Sequence, residues 1–294
     1  MVTWSRGLRV AVFSFFFSRK KQKKREREKN AWIPWSSRDA DERLRHHDFA
    51  HRVLGIYERM NYAAIILDIE GTVCPISFVK DKLFPYFLSK VPELCRDFRN
   101  SATSSQFTHL LSLFPCDGSQ LESYIVDIVE RDIKDPVLKQ LQGLVWKQGY
   151  ESGEIKAPVY SDAIDFIKGN APRVYIYSSG SVQAQKLLFG FVDDKASSGS
   201  TDLNAYISGY FDITTSGRKT EAQSYANILK AIKLDSVPGK VLFLSDNPLE
   251  LDAARSLGIV TKLVLRPGNY PVQDLHSYES VSDFGNLWQT KKET

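Results

Sequence analysis

Apolar residues are spaced along this chain in two ways, as short unbroken runs and as helical stripes. The run AAIILDI from Ala63 to Ile69 is apolar and β-prone and stops at Glu70-Gly71-Thr72, which predicts a buried parallel strand ending in a loop. Residues 76–150 change character. Helical spacing governs Phe78–Leu88, Gln120–Arg131 and Val137–Tyr150, with turns at Pro92, Pro115–Gly118 and Asp135-Pro136 and no β-rich run among them. This stretch predicts a helical insert. Strand and helix then alternate. Ser161–Lys168, Val182–Phe189, Thr220–Lys233 and Pro248–Leu257 have helical spacing, Arg173–Tyr177 (RVYIY) and Lys240–Leu244 (KVLFL) are apolar runs, Val260–Leu265 reads as another strand, and residues 193–204 read as a polar loop. Pro248 suits the first helical position and Gly258 the residue past the helix end. Alternation of this kind predicts an α/β fold with a parallel sheet and helices on both faces.

Length and composition add little until the charge is divided. The 294 residues are 43% hydrophobic and 25% charged, ordinary for a globular protein with a sizeable core. The formal charge of +4 is uneven: residues 1–59 hold 15 Lys and Arg against 7 Asp and Glu, and the remainder is net acidic. A basic pI therefore gives no reason to expect nucleic-acid binding by the folded body. The apolar stretch Val10–Phe17 is far shorter than the ~20 residues that span a bilayer. Its dense run of cations, Arg19–Lys29, follows it, and Glu26 and Glu28 within that run argue against a mitochondrial presequence. Residues 1–59 read as a disordered basic extension, or as a mis-assigned start with translation beginning at Met60. Cys74, Cys95 and Cys116 form no CxxC pair, which disfavours a disulfide framework or a structural zinc site and fits a reducing compartment.

Three of the apolar runs end in polar clusters: Asp68-Ile69-Glu70-Gly71-Thr72, Ser178-Ser179-Gly180 and Ser245-Asp246. Open α/β sheets bind ligands at the carboxyl ends of their strands, so the clusters should converge. Each also has a plainer reading. Asp246 could cap the Pro248 helix, the serines could be an ordinary turn, and Lys219, in Gly217-Arg218-Lys219-Thr220, could be a solvated surface charge. Two carboxylates at Asp68 and Glu70 are costly to bury unpaired, and a divalent cation would compensate them. A carboxylate can attack phosphorus, Mg2+ with Asp68 and Asp246 as side-chain ligands would offset the repulsion between two anions, and a hydroxyl at Ser178 or Ser179 with helix-start amides can hold phosphate oxygens. Lys219 is the candidate for the cation beside them. Rival chemistries are poorly served. His109 and His276 are the histidines outside the N-terminal segment and neither sits in a motif, no Cys has an Arg six residues on, and Gly217–Thr220 lacks the Gly at 212 and the Gly-Lys-Ser/Thr ending of a P-loop.

Asp68–Thr72, Val174–Gly190 and Leu242–Asp246 resemble the motifs of the haloacid-dehalogenase superfamily. PISFVKDKLFPYF at 75–87, LKQLQGLVW at 138–146, YIYSSGSVQAQKLLFG at 175–190 and RPGN at 266–269 resemble one branch, the acireductone synthases, or enolase-phosphatases, of L-methionine salvage. The likeness runs from about Tyr62 to the C-terminus. It implies a Rossmann-like core over 60–71 and 158–294 with an all-helical cap over 72–157. It implies one Mg2+ ion, held by Asp68, Glu70 (through its main-chain carbonyl) and Asp246. Asp68 would be the nucleophile and Glu70 the general acid. Ser178, Ser179 and Lys219 would bind substrate, and Glu250 would orient the metal's surroundings. The implied reaction enolises a phosphorylated 2,3-diketone bearing a methylthio group (5-methylthio-2,3-dioxopentyl phosphate) and hydrolyses its phosphate to give acireductone. A cytoplasmic or nuclear monomer with a small-molecule partner, and no membrane or nucleic-acid partner, completes the expectation. A phosphatase for another small phosphate ester, an inactive binding module and a protein tethered through residues 19–29 are the alternatives.

Overall fold

A computed structural model describes residues 62–287, apart from 103, 132, 134, 172 and 196–198; the expectations for residues 1–59 lie outside the described residues. The six strands are β1 (Ala64–Leu67), β2 (Val174–Tyr177), β3 (Ile207–Phe211), β4 (Val241–Ser245), β5 (Val260–Val264) and β6 (Ser280–Val281). They form one sheet in the order β3-β2-β1-β4-β5-β6, with every pairing parallel. The central strand β1 pairs Ile65 with Val174 on one side and with Leu242 on the other. Alternate side chains leave it in opposite directions, as strand geometry requires. Ile65 and Leu67 join the apolar cluster of α5 (Ser161–Asn170) and α6 (Val182–Gly190), while Ala64 and Ile66 join that of α7 (Ala222–Ala231) and α8 (Pro248–Arg255). Both faces are covered, so the run reads as continuously apolar. This is the expected α/β architecture.

Four helices stand between β1 and α5: α1 (Phe84–Arg99, entered through a π-helical turn at Val79–Leu83), α2 (Ser105–Ser112), α3 (Leu121–Glu130) and α4 (Pro136–Glu151). Their apolar stripes bury Phe87, Val91, Leu111, Ile125, Leu141 and Val145 against one another in a core of their own. Tyr86 and Trp146 border both this core and that of the sheet. The Asp135 carboxylate caps α4 by accepting the Leu138 N–H at 2.8 Å, with Pro136 at its first position.

The structure corrects two expectations and adds a strand. Pro92 marks no turn, because it lies inside α1; burial of Phe87, Val91 and Cys95 along one face outweighs the ~3 kcal/mol that an interior proline costs. The polar turn before α7 extends to Glu221, so the helix starts two residues later than its spacing predicts. From the sequence no element is expected over residues 205–219, where the structure has β3 at Ile207–Phe211. No helix among the described residues is long and apolar enough to cross a membrane.

Candidate active site

Because β1 lies between β2 and β4, the loops that follow these three strands are neighbours at one edge of the sheet. They border a cleft of about 680 Å3, whose lining includes Asp68, Glu70, Ser179, Lys219, Asp246 and Glu250. Ser178 lies behind the surface, fully buried, and its Oγ donates to Glu70 Oε2 at 3.4 Å. The six residues singled out in the sequence are therefore gathered in one place, with Ser178 one layer deeper than Ser179.

Lys219 is the hub. It is buried and paired with Asp68 Oδ1 and, at 2.8 Å, with Glu250 Oε2, while its ammonium stands 5.8 Å from the centre of the Tyr177 ring. Burial opposes its charge, but Asp68 and Glu250 overcome that and hold its pKa above the ordinary lysine value. The solvated-surface reading of this lysine does not survive. The loop that presents it is pinned by Tyr177, whose hydroxyl donates to Gly217 O at 2.7 Å, and by Asn227, whose Nδ2 donates to Ser216 O at 2.8 Å. Asp68 Oδ1 also accepts its neighbour's N–H, from Ile69 at 2.8 Å. Ser245 Oγ lies 2.9 Å from Glu250 Oε2 and 3.3 Å from Asp68 Oδ2, with one proton to give.

Three further carboxyls crowd this cation. Burial, then the charge of Asp68, raises the pKa of Glu70 and pushes Asp246 up to about 7. The same two causes push Glu250 up to about 7. Asp246 is not the cap of α8: that residue is Asn247, whose Oδ1 accepts the Leu249 N–H at 3.1 Å. The Asp246 carboxylate instead stands against Gly71, where a Cβ would come within 2.3 Å of Oδ2. Gly71 has φ +74°, a second reason for glycine there.

Sequence reasoning passes over two residues that hold the serine loop. Asp212, at the end of β3, accepts the main-chain N–H groups of Val182, Thr214 and Thr215 at 3.0, 2.9 and 2.8 Å. Burial works against its charge, and these bonds nonetheless keep its pKa below the ordinary value. Gln185 Nε2 donates to Gly180 O and Phe211 O, both at 2.8 Å. Their longer-range bonds, Val182 N–H to Asp212 and Gln185 to Phe211 O, join segments that β3 brings together and that no local pattern shows.

Residues 62–258 match the family model of the haloacid dehalogenase-like hydrolases, a span that contains all six candidate residues. Over 231 residues the chain is 60% identical to Enolase-phosphatase E1 of Saccharomyces cerevisiae (strain RM11-1a), covering 77% of this chain and 99% of that protein. The chain belongs to the enolase-phosphatase E1 family. The Enolase-phosphatase E1 of Lachancea thermotolerans is 54% identical over 228 residues, covering 78% of this chain and all of that one. Among solved structures, the UTR4 protein from Saccharomyces cerevisiae is similar to this fold with a TM-score of 0.70 at 58% identity, over 76% of this chain and 98% of that one. As a member of the enolase-phosphatase E1 family and of the wider hydrolase group, the chain is a hydrolase with a parallel α/β core.

Proposed function

We propose that the chain is a magnesium-dependent enolase-phosphatase, acting on the phosphorylated methylthio-diketone implied by its sequence motifs and releasing phosphate and acireductone. The observation that carries this reading is the buried Asp68 carboxylate, held by Lys219 at the floor of a cleft that Glu70 and Asp246 also line, in a chain 60% identical to Enolase-phosphatase E1.

The residues fit a hard cation. Asp68 and Asp246 offer carboxylate oxygens, and Gly71 leaves beside Asp246 Oδ2 a space that a Cβ would fill at 2.3 Å. Among the described residues no group of three or more His, Cys, Asp or Glu could hold a metal ion. The proposed set therefore uses two carboxylates with the Glu70 main-chain oxygen, and leaves room for substrate phosphate and water, which suits one Mg2+. When bound, that ion offsets the repulsion between the anionic nucleophile and the anionic phosphate.

Once the diketone is enolised, the phosphate-transfer steps belong to the side chains. An Asp68 oxygen attacks phosphorus and the bond from phosphorus to the leaving oxygen breaks. Glu70, whose raised pKa favours the protonated form, gives its proton to that oxygen. Water then attacks the phosphorus of the aspartyl-phosphate, Glu70 takes the water's proton, and phosphate leaves Asp68 free. Lys219 neutralises charge at Asp68, the Ser179 hydroxyl binds the substrate's oxygens, and Ser178, bonded to Glu70, holds that acid from behind. Glu250 anchors Lys219. Helices α1–α4, within residues 72–157, serve as a cap over the core of 60–71 and 158–294, closing out water and shaping substrate choice. The enzyme works as a cytoplasmic or nuclear monomer on a small molecule, with neither nucleic acid nor membrane as a partner.

Phosphate release from the diketone phosphate tests this directly. Release should require Mg2+, and Asp246→Asn should raise the Mg2+ concentration needed for half-maximal rate. Release that persists in a chelator would overturn the metal's part. Turnover of other phosphate esters with none of the diketone would favour the wider phosphatase reading.

A further inference from the structure

The RPGN segment, Arg266–Asn269, has no part in the chemistry above, although it touches the loop that carries Asp68 and Glu70. That loop is a tight turn. Ile69 O accepts the N–H groups of Thr72, Val73 and Cys74 at 3.1, 2.9 and 3.1 Å, and the Gly71 N–H donates to Cys74 O at 2.8 Å. The turn satisfies its own donors in this way and leaves the carbonyls of Gly71, Thr72 and Val73 to be met from outside. Asn269 Nδ2 donates to Gly71 O at 2.9 Å, Arg266 Nε donates to Thr72 O at 3.0 Å, and the Tyr160 N–H donates to Val73 O at 2.9 Å.

Both side chains reach further. Asn269 Nδ2 also donates to Val264 O at 3.2 Å, tying the turn to the end of β5. Two carbonyls face this amide, so its nitrogen must point at them and its oxygen must turn the other way, toward the Gly71–Asp246 edge. Arg266 is buried. Its guanidinium lies 4.5 Å from the Tyr160 ring centre and 4.7 Å from that of Phe284, pairs with Asp162 at 2.8 Å, and donates to Ser282 O at 3.0 Å. Thr72 is where the chain leaves the sheet for the four helices, and Tyr160 and Asp162 are where it returns. One guanidinium therefore fastens both crossings.

We propose that Arg266 and Asn269 are positioning residues. They clamp the Asp68–Cys74 turn from outside, so that Asp68 and Glu70 stay aligned with a phosphate site built by other loops. The kinetic part of this inference rests on the phosphatase reading above. Ser178 and Ser179 follow β2, and Lys219 follows β3; hydrogen bonds of Arg266 and Asn269 go to neither loop. Loosening the clamp should then misplace the attacking and proton-donating groups while phosphate still binds. A misplacement of about 1 Å costs on the order of 10²-fold in rate.

The test is Asn269→Leu, which keeps the side chain's size and removes the amide, with Arg266→Lys as a second variant that keeps the charge and loses the planar fork. Three quantities are compared with the parent: kcat for the diketone phosphate, the inhibition constant of inorganic phosphate, and amide exchange of residues 69–74 against that of α3. We expect kcat to fall about 10- to 100-fold, the phosphate constant to stay within about threefold, and exchange of the turn to quicken while α3 is unchanged. Asn269→Leu with parental kcat and parental exchange overturns the proposal, and so does a joint loss of kcat and phosphate affinity with faster exchange everywhere, which marks a merely structural role. If Asn269→Leu does not fold, Arg266→Lys is judged by the same criteria. A parent protein that turns over no phosphate ester defeats the phosphatase reading, and the exchange comparison alone then decides whether the clamp exists.

Discussion

Replacing Lys219 by Met leaves the Lys219 site apolar and Asp68 and Glu250 without their shared cation. The side chains of Lys219 and Glu250 are each 9% exposed, so solvent does little to screen the loss. Removing one partner of a buried ion pair costs about 3–5 kcal/mol. The pH dependence follows from Glu250. Its pKa is raised in the folded chain from 4.5 to about 7, so its proton stabilises the fold at low pH and that contribution fades as pH rises through about 7. Between about pH 6 and pH 8 the parent therefore forfeits about 1.4 kcal/mol through this group, one pKa unit's worth. Without Lys219 the charge of Asp68 acts on Glu250 with no cation between them, the midpoint of Glu250 moves higher still, and the loss over the same interval grows. The deficit of Lys219→Met relative to the parent should thus widen as pH rises from about 6 to about 8. Urea unfolding of both proteins at the two pH values, in EDTA so that no metal takes the lysine's place, measures it. A deficit under about 1 kcal/mol, or one that narrows as pH rises, would refute the buried-hub account of Lys219.

The proposed roles give sharper kinetic expectations. Asp68→Asn should abolish phosphate release while the far-ultraviolet circular dichroism stays that of the parent, since an amide is a poor nucleophile; substantial turnover by the folded variant would remove Asp68 from the chemistry. Glu70→Gln should slow turnover by roughly 10²–10⁴, the usual range for a lost general acid, and a loss under about tenfold would make Glu70 structural. Gly71→Ala must move Asp246, whose Oδ2 lies 2.3 Å from the new Cβ, and must also hold φ +74°. It should raise the Mg2+ requirement of phosphate release and lower the melting temperature together, and an unchanged Mg2+ requirement would place Asp246 away from the metal.

How much of this was legible in the sequence depends on burial. β1, β2 and β4 lie in the middle of the sheet and read as unbroken apolar runs because helices cover them on both sides. Their carboxyl ends were legible for the same reason: each run stops abruptly at Asp68, Ser178 or Ser245-Asp246, and an abrupt stop in polar residues is itself a signal. The core-facing stripes of α1, α3 and α4 show helical spacing for a related cause, since each meets its neighbours along one face. Pro92 misled because a local preference of a few kcal/mol competes with the burial of three side chains in the same helix. β6 holds two residues, too few for any periodicity.

β3 shows why the rest was not legible. It is an edge strand and mostly half-buried, and Ser208 and Gly209 interrupt its apolar pattern. Gly209 is there for a neighbour's sake: a Cβ on it would stand 3.1 Å from the Tyr175 ring on β2. With β3 absent from the reading, Asp212 at its end goes unread as well, and Lys219, singled out for its charge, has no visible route to Asp68. Asp212 ends the strand and takes the Val182 N–H at the start of α6, and the loop that follows delivers Lys219 to Asp68. No window of sequence holds both ends of that ion pair, which lie 151 residues apart, or of the Arg266–Thr72 bond, which spans 194. Spacing along the chain finds groups that share a strand or a helix. Lys219, Asp212, Arg266 and Asn269 work across the sheet, so their roles follow from strand order, and strand order appears only when β3 and β5 take their places on either side of β1.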